Sequence, residues 1–368
     1  MSEQPPNPDV TPSAPDVAAV TAKLDKKKSI ILGLVGLAII VLIFVKVIPQ
    51  IGSYEDAAQA LQDMGAVAML AVGVAVVVYL VVYGFPFMAA TPRLRYWPSQ
   101  QVNQAAFAIS NGVPAGGAFG LAMQYAMLAT YQVPGTVATS AITAVGLWSM
   151  FVSLGLPVLG IAALNAVGGS LSYAWVAPVG LTILAALILV LVLIVRSERL
   201  ARKVGAIGNR VVGPLRGRIA AVRDLDLVEL TSKFRTDMHD LLARRWLVIT
   251  VAQLAVILTQ FAILYVALRG IQGWDQPGAS VVAVFGAFAT SQIMLMVPIT
   301  PGGLGTVDAM IIALLQSVGV SAGDATAADL VWRAASYVPQ IIVGVLALVL
   351  WFRRANRAFA GAASESRT

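Results

Sequence analysis

Residues 298–308 read Pro298-Ile-Thr-Pro-Gly-Gly-Leu-Gly-Thr-Val-Asp308 and interrupt a long apolar stretch that runs from residue 279 to residue 320. Proline removes a backbone donor and glycine loosens a helix, so the interruption predicts a turn between two apolar helical arms. The stretch 279–320 is therefore predicted to be a helical hairpin whose two ends lie on the same side of a membrane. Its arms are long enough that each one could cross fully.

A second stretch of the same kind spans residues 101–133 and breaks at Val113-Pro-Ala-Gly-Gly-Ala-Phe-Gly120. Its first arm, Gln101–Gly112, reaches only about 18 Å at the helical rise per residue. A bilayer core is about 30 Å thick. This hairpin is therefore predicted to be re-entrant.

The composition places the rest of the chain in a membrane as well. Of the 368 residues, 58% are hydrophobic and 12% are charged, which is far more apolar than a soluble domain. The fold class is predicted to be an all-α polytopic membrane protein, with a single transmembrane domain at 29–352. About six stretches have the length and composition of full spans: Ser29–Ile48, Ala66–Tyr83, Thr136–Leu164, Ser172–Val195, Trp246–Leu268 and Ala328–Phe352.

The positive charges are clustered, and the clusters predict the orientation. Of the 25 Lys and Arg residues, 22 lie in four places: the tail 1–28, the pair Arg93 and Arg95, the segment 196–245 and the tail 353–368. Basic residues mark cytoplasmic loops, so both termini are predicted to be cytoplasmic, the first tail being disordered. This pattern favours membrane topology over nucleic-acid binding. Within 196–245 an amphipathic helix is expected to rest on anionic headgroups, from the helical spacing of Leu227, Leu230, Phe234, Met238 and Leu241.

The two glycine breaks indicate an internal repeat. Gly116-Gly117 and Gly302-Gly303 are each followed by an apolar helix and then by a long helix that carries a tryptophan. Three predicted spans separate the hairpins, and an odd number reverses the orientation. The sequence therefore predicts an inverted-topology repeat, with units at about 101–164 and 279–352, as in many secondary transporters.

The residue inventory argues against catalysis. The chain has no cysteine and one histidine, which removes thiolate chemistry, the commonest metal ligand and the commonest general base. Asp224-Leu-Asp226 imitates the motif of metal-dependent glycosyltransferases, but no glycine-rich nucleotide loop accompanies it. We therefore expect no enzyme activity, no catalytic residue, no metal and no cofactor.

The glycine breaks are the candidate binding site. A helix that opens inside the membrane presents unpaired backbone N–H groups and the positive end of its dipole, and glycines let an anion approach them. Tight turns without a ligand are the simpler alternative. The candidate substrate-binding residues at the two breaks are Asn111, Pro114, Gly116, Gly117, Thr300, Pro301, Gly302, Gly303 and Gly305.

Asp308 and Arg333 are the ionisable residues expected well inside the membrane. Intramembrane charge is costly and usually has a partner and a function. Arg333 suits a phosphate because its guanidinium binds bidentately, and Asp308 is either its counter-ion or a proton-coupling group. There are two alternatives. Asp308 stabilises its helix by a favourable interaction with the helix dipole, and Arg333 extends its side chain to the outer interface. Asp329 is expected nearer the outer surface and solvated.

The second break, followed by Gly319-Val320 and then by Arg333 with Tyr337, resembles the lysylphosphatidylglycerol synthase transmembrane-region family. This family includes the flippase half of the multiple-peptide-resistance factor. The resemblance covers most of residues 29–352 and adds Tyr337 to the candidate site. Asp308 stands where the family usually has Glu, and the first loop lacks the acidic and arginine residues that many members carry. The resemblance implies the translocating half without the soluble synthase domain, in a bacterial inner membrane.

The leading hypothesis is a flippase-like carrier that moves an anionic lipid, such as an aminoacyl lipid or a polyprenyl-phosphate glycan, between leaflets. A secondary transporter of a small anion is one alternative. Another is a non-transporting membrane partner of a separately encoded synthase or glycosyltransferase. The sequence leaves open whether the chain forms a homo-oligomer.

Overall fold

A computed structural model describes residues 64–112, 116–167, 196–212, 226–276, 278–296 and 301–365, with isolated positions at 59, 62 and between 178 and 193. Within those residues the chain is helical and contains no strand. We number the helices α1 Ala66–Val82, α2 Phe85–Ala90, α3 Tyr96–Gly112, α4 Gly116–Thr130, α5 Gly135–Ala166, α6 Glu198–Val212, α7 Leu227–Gln272, α8 Val281–Ser291, α9 Thr306–Ser317 and α10 Ala322–Glu365.

Four of the described segments are long and apolar enough to cross a bilayer: Ala66–Ala90, Gly135–Ala166, Arg244–Gln272 and Ala322–Arg353. Each contains one of the predicted spans. The outward faces of these helices are apolar; Leu70 on α1, for example, is 69% exposed. An all-α membrane protein is therefore confirmed. The predicted span Ser29–Ile48 and most of Ser172–Val195 lie outside the described residues.

The first hairpin consists of α3 and α4. Its first helix begins at Tyr96 and is 17 residues long, so it reaches about 26 Å rather than the 18 Å expected. Glycines bring the two arms together, because a Cβ on Gly116 would clash with the carbonyl oxygen of Ile109. A Cβ on Gly120 would clash with the Ser110 hydroxyl group one turn further along. Small residues at this spacing let helices approach closely in lipid.

The second hairpin has shorter arms than the sequence suggested. Helix α8 has 11 residues and continues as a 3₁₀ turn, Gln292–Met296, while α9 has 12 residues. Neither arm is long enough to cross a core of about 30 Å as an α-helix. Between them lies the turn Pro301–Gly303, and both Gly302 and Gly303 have positive φ. Helix α8 ends at Ser291, where the 3₁₀ turn begins, and α9 begins at Thr306, after the two glycines in the left-handed region.

Each hairpin packs against the long helix that follows the other hairpin. Helix α3 lies along α10, where a Cβ on Gly344 would clash with the carbonyl oxygen of Gln104. Helix α8 lies along α5 in the same way, because a Cβ on Gly160 would clash with the backbone at Thr290. The exchange brings the second glycine break next to the last turn of α3, where Gly302 lies against Asn111.

Helix α7 is one continuous helix of 46 residues, about 69 Å long. The amphipathic stretch expected to form a separate surface helix is therefore the first part of the helix that also forms a membrane span. Its N-cap is Asp226, whose Oδ1 accepts a hydrogen bond from the Val228 N–H at 2.8 Å. The Asn209 side chain donates to the same oxygen at 2.8 Å. Asp226 thus has a capping role in the fold, and its partner in the sequence motif, Asp224, lies outside the described residues.

Candidate functional site

The buried ion pair between Arg333 and Asp308 lies at the start of α9. Arg333 Nε donates to Asp308 Oδ1 at 2.6 Å, and the two residues are 8% and 0% exposed. The other carboxylate oxygen, Oδ2, accepts a hydrogen bond from the Gly305 N–H. Asp308 is therefore both the counter-ion of Arg333 and the cap of α9. One of the backbone N–H groups expected to be free for an anion is already used by this carboxylate.

Two of the three guanidinium nitrogens of Arg333 have hydrogen-bond acceptors among the described residues. Nε is bound to Asp308, and Nη1 donates to the carbonyl oxygen of Gly302 at 3.4 Å. Nη2 is buried, and among the described residues it has no hydrogen-bond partner. The guanidinium carbon lies 4.6 Å from the Trp332 ring centre and 4.9 Å from that of Tyr337, which limits where it can move. The burial of Arg333 is inconsistent with an arginine that extends to the interface.

The tips of the two hairpins meet at Gly302. Tyr337 donates its hydroxyl proton to the Gly302 carbonyl oxygen at 2.8 Å. A Cβ on Gly302 would clash with this hydroxyl group and would lie 2.9 Å from Oδ1 of Asn111, the last turn of α3. Asn111 directs its amide nitrogen to the Phe107 carbonyl oxygen at 3.0 Å, which leaves Oδ1 towards Gly302. The structure thus brings Asn111, Gly302, Asp308, Arg333 and Tyr337 together.

The remaining candidate residues have other positions. Gly116 packs the first hairpin together, whereas Gly117 is exposed and has open space beside it. Gly303 has positive φ, and a Cβ there would clash with Val307 and Leu295. Pro114, Thr300 and the side chain of Pro301 lie outside the described residues.

Asp329 is buried, contrary to the expectation of a solvated residue near the outer surface. The residue is 0% exposed, and neither carboxyl oxygen has a hydrogen-bond partner among the described residues. It lies one turn before Arg333 on α10, so both side chains project from the same face of the helix. Its carboxyl group interacts with Arg333 and is within hydrogen-bonding reach of the Asp308 carboxyl group. The i, i+4 spacing to Arg333 is the sequence signal that would have identified it.

A cavity of about 220 Å³ lies between α3, α5, α7 and the 3₁₀ turn that follows α8. It has no charged residue in its lining. Its polar side chains come from α3, α5, α7, the 3₁₀ turn and the residue that follows α1: Tyr83, Asn103, Ser149, Ser153, Gln253, Gln260 and Gln292. None of these was singled out from the sequence. Uncharged amides inside apolar helices were the available signal, because polar groups in lipid need a partner.

The four amides of the cavity all donate to the protein. Asn103 and Gln253 donate to the carbonyl oxygens of Tyr83 and Val145, Gln292 to that of Phe288, and Gln260 to the Tyr79 hydroxyl group. Each amide oxygen remains able to accept hydrogen bonds, and the NH₂ groups of Asn103, Gln253 and Gln260 each have a second N–H beyond these bonds. The cavity lining therefore offers uncharged hydrogen-bond donors and acceptors, from amide and hydroxyl groups.

Aromatic rings link the cavity to the ion pair. Tyr83, which lines the cavity, contacts Phe107 edge-on with ring centres 5.8 Å apart. Phe107 contacts Tyr337 with ring centres 5.5 Å apart, and Tyr337 contacts both Gly302 and Arg333. The rings of Phe107 and Tyr337 therefore lie between the cavity and the ion pair and connect the two by direct contacts.

A sequence model of the lysylphosphatidylglycerol synthase transmembrane region matches residues 34–344 of the chain. This match covers both hairpins and all the candidate site residues, and it confirms the resemblance drawn from the second glycine break. No curated protein matches the chain.

Proposed function

The chain belongs to the lysylphosphatidylglycerol synthase transmembrane-region family, and from that premise we propose that it carries an anionic lipid between the two leaflets of a bacterial inner membrane. The family and the apolar helices place the protein in a membrane with a role in lipid synthesis or translocation. Of these two roles we propose translocation, in which the chain moves the lipid and breaks no bond in it.

The observation that carries the proposal is the Nη2 group of Arg333. A buried donor without a partner costs about 1–3 kcal/mol, and more when the group is charged. A phosphate oxygen from a lipid headgroup would satisfy Nη2 with a charge-assisted hydrogen bond. The position between two broken helices resembles the way transporters expose a site inside the membrane. The phosphate is thus proposed to bind at Arg333, beside Gly302 and Asn111.

The cavity would receive the part of the headgroup beyond the phosphate. Its carbonyl and hydroxyl groups are suited to hydroxyl or amine donors, and its lining carries no charge that would repel them. The acyl chains would remain in the surrounding lipid, against the apolar outer faces of the helices. In this division the buried arginine would bind the phosphate and the uncharged amides would bind the rest of the headgroup.

We also propose that the two hairpin units form an inverted repeat with both termini in the cytoplasm. The reciprocal packing of α3 on α10 and of α8 on α5 supports a two-fold relationship. Both long helices that follow the hairpins also contain an internal proline, Pro157 in α5 and Pro339 in α10. An inverted repeat would let the same site open alternately to each side. A separately encoded synthase or glycosyltransferase would supply the lipid.

The test is lipid transfer in reconstituted vesicles. Purified protein is incorporated into vesicles that contain acyl-labelled phosphatidylglycerol, and the label exposed on the outer leaflet is quenched from outside at successive times. We expect faster exchange of phosphatidylglycerol than in protein-free vesicles, and little acceleration of labelled phosphatidylcholine at the same protein density. Equal rates with and without protein would overturn the proposal.

A further inference from the structure

The ion pair and the neighbouring Asp329 together contain two acidic groups and one basic group. Asp308 uses both of its oxygens, one for Gly305 N–H and one for Arg333 Nε. Asp329 is fully buried, and within the described residues its two oxygens have no hydrogen-bond donor. Two carboxyl groups and one guanidinium therefore lie together inside the membrane domain.

The neighbouring helices do not supply a second positive charge. The charged groups that interact with the Asp329 carboxyl group are Asp308 on α9 and Arg333 on its own helix. Tyr337 on α10 also titrates and contacts Arg333. In the parts of α1, α3, α7 and α8 that pack here, residues 66–82, 96–112, 246–268 and 281–291, the sequence contains no Asp, Glu, His, Lys or Arg.

Two ionised carboxylates beside one guanidinium would leave a net negative charge in the membrane interior, which is strongly unfavourable. Carboxyl groups in such proximity instead share a proton and titrate as a pair. We propose that Asp329 holds a proton that controls whether Arg333 can bind an anionic headgroup. This inference rests on the headgroup site proposed above, and adds the ion that binds together with the lipid.

The spacing of Asp329 and Arg333 suggests how the proton acts. Acidic and basic side chains at i and i+4 on a helix can form an ion pair. When Asp329 is protonated, Arg333 has Asp308 as its one anionic partner, and Nη2 is free for a phosphate oxygen. When Asp329 loses its proton to water, its carboxylate can take Nη2 and displace the phosphate. One proton and one headgroup phosphate thus favour each other at the site.

This relationship is reciprocal, so the pH must alter headgroup affinity to the same extent that the headgroup alters proton binding. The affinity for the phosphate is expected to increase as the pH falls, by about tenfold per pH unit where one proton is taken up with each headgroup. Asp329→Asn mimics the protonated acid. It is expected to bind the headgroup as tightly as the wild type does at low pH, with no pH dependence.

The experiment measures binding of short-chain phosphatidylglycerol to the full chain in detergent at a series of pH values. Asp324→Asn is the matched control, because Asp324 lies on the same helix outside this cluster and should retain the wild-type pH dependence. Loss of the pH dependence in Asp329→Asn alone supports the inference. The same pH dependence in Asp329→Asn and in the wild type overturns it and leaves lipid binding intact.

A second readout separates this inference from the proposed function. If the wild type binds no phosphatidylglycerol at any pH, the proposed headgroup site is wrong. The proposed coupling between proton binding and headgroup binding is then wrong as well. Infrared spectroscopy of the wild type at neutral pH then tests whether Asp308 and Asp329 share a proton. A protonated-carboxyl band that disappears in Asp329→Asn supports a proton on the pair, and its absence from the wild type overturns it.

Discussion

Arg333 Nε donates to Asp308 Oδ1 at 2.6 Å, although the two residues lie on different helices and the pair is almost fully buried. The contact fixes the start of α9 against α10 and so positions the tip of the second hairpin. Removal of one partner from a buried ion pair costs about 3–5 kcal/mol, because the other charge remains without compensation. Function at this site is therefore best tested with conservative substitutions that leave the protein folded.

Arg333→Lys should abolish most of the lipid transfer. Lysine keeps the positive charge for Asp308 but lacks the planar fork that also reaches Gly302 and offers Nη2. Loss of a hydrogen bond to a charged group costs about 1.5–3 kcal/mol, which corresponds to a reduction of about ten- to a hundredfold. The reduction is measured as the rate of transfer of labelled phosphatidylglycerol in reconstituted vesicles. The control is Arg269→Lys at the end of α7, where the arginine donates to loop carbonyl oxygens; equal rates in both variants would contradict the role of Arg333.

Asp308→Asn and Asp329→Asn should have strongly non-additive effects on stability. Asp329→Asn alone should leave the thermal unfolding midpoint almost unchanged, since an amide resembles the protonated acid. Asp308→Asn alone should destabilise moderately, because Asp329 can ionise and compensate Arg333. The double variant leaves Arg333 with no acid, and should cost about 0.5–3 kcal/mol more than the sum of the single changes. Thermal unfolding in detergent tests this, and additive changes would show that the two acids do not share Arg333.

Gly302→Ala should disrupt the contact between the hairpin tips. The new Cβ would meet the Tyr337 hydroxyl group, at a backbone φ of 62° that costs about 1–2 kcal/mol for a residue other than glycine. Tyr337→Phe removes both that hydroxyl group and its hydrogen bond to Gly302, worth about 0.5–1.5 kcal/mol. The double variant should therefore lose less stability than the sum of the two single variants. Simple additivity in thermal unfolding would place Tyr337 away from Gly302.

Ser153→Leu should block the cavity without unfolding the protein. Ser153 lies on α5 and lines the cavity, so the larger side chain would project into space proposed for the headgroup. Ser153→Ala is the control, because it removes the hydroxyl group and leaves the volume open. Transfer of phosphatidylglycerol should be slowed in the leucine variant and nearly normal in the alanine variant. Normal transfer by Ser153→Leu would remove the cavity from the lipid path.

The proposed inverted repeat predicts opposite exposure of the turns that follow the two hairpins. Because the chain contains no cysteine, single substitutions can be labelled against an empty background. Thr136→Cys follows the first hairpin and should be inaccessible to an impermeant maleimide in intact cells. Ser317→Cys ends the second hairpin and should be labelled. Both positions are exposed in the fold, and labelling of both from the same side would contradict the repeat.

The sequence was most informative where charge or glycine interrupts apolar helices. The break at Gly302 and Gly303 predicted a turn, which the structure confirms, and among the alternatives left open for Asp308 and Arg333 the structure shows a buried ion pair. These signals are clear because a membrane helix disfavours both charged residues and glycine-proline breaks. The free-energy cost of each one means that few structural explanations are compatible with it.

Other features depend on packing between distant segments. The position of Asp329 near the start of its helix predicted a solvated residue. Its burial depends instead on which face of α10 packs against the neighbouring helices. The amides at Gln253, Gln260 and Gln292 are unremarkable singly, and form a cavity only because α5, α7 and the second hairpin converge. The length of α8 likewise depends on a local change to 3₁₀ geometry that hydropathy does not report.

The most direct test of the carrier account is a cryo-EM map of the protein in nanodiscs that contain phosphatidylglycerol. The account predicts headgroup density with a phosphate within hydrogen-bonding distance of Arg333 Nη2, between Asn111 and Gly302, and with acyl chains that extend towards the bilayer. A map in which another side chain of the protein fills the position beside Nη2, with no opening from the site to lipid, would contradict it.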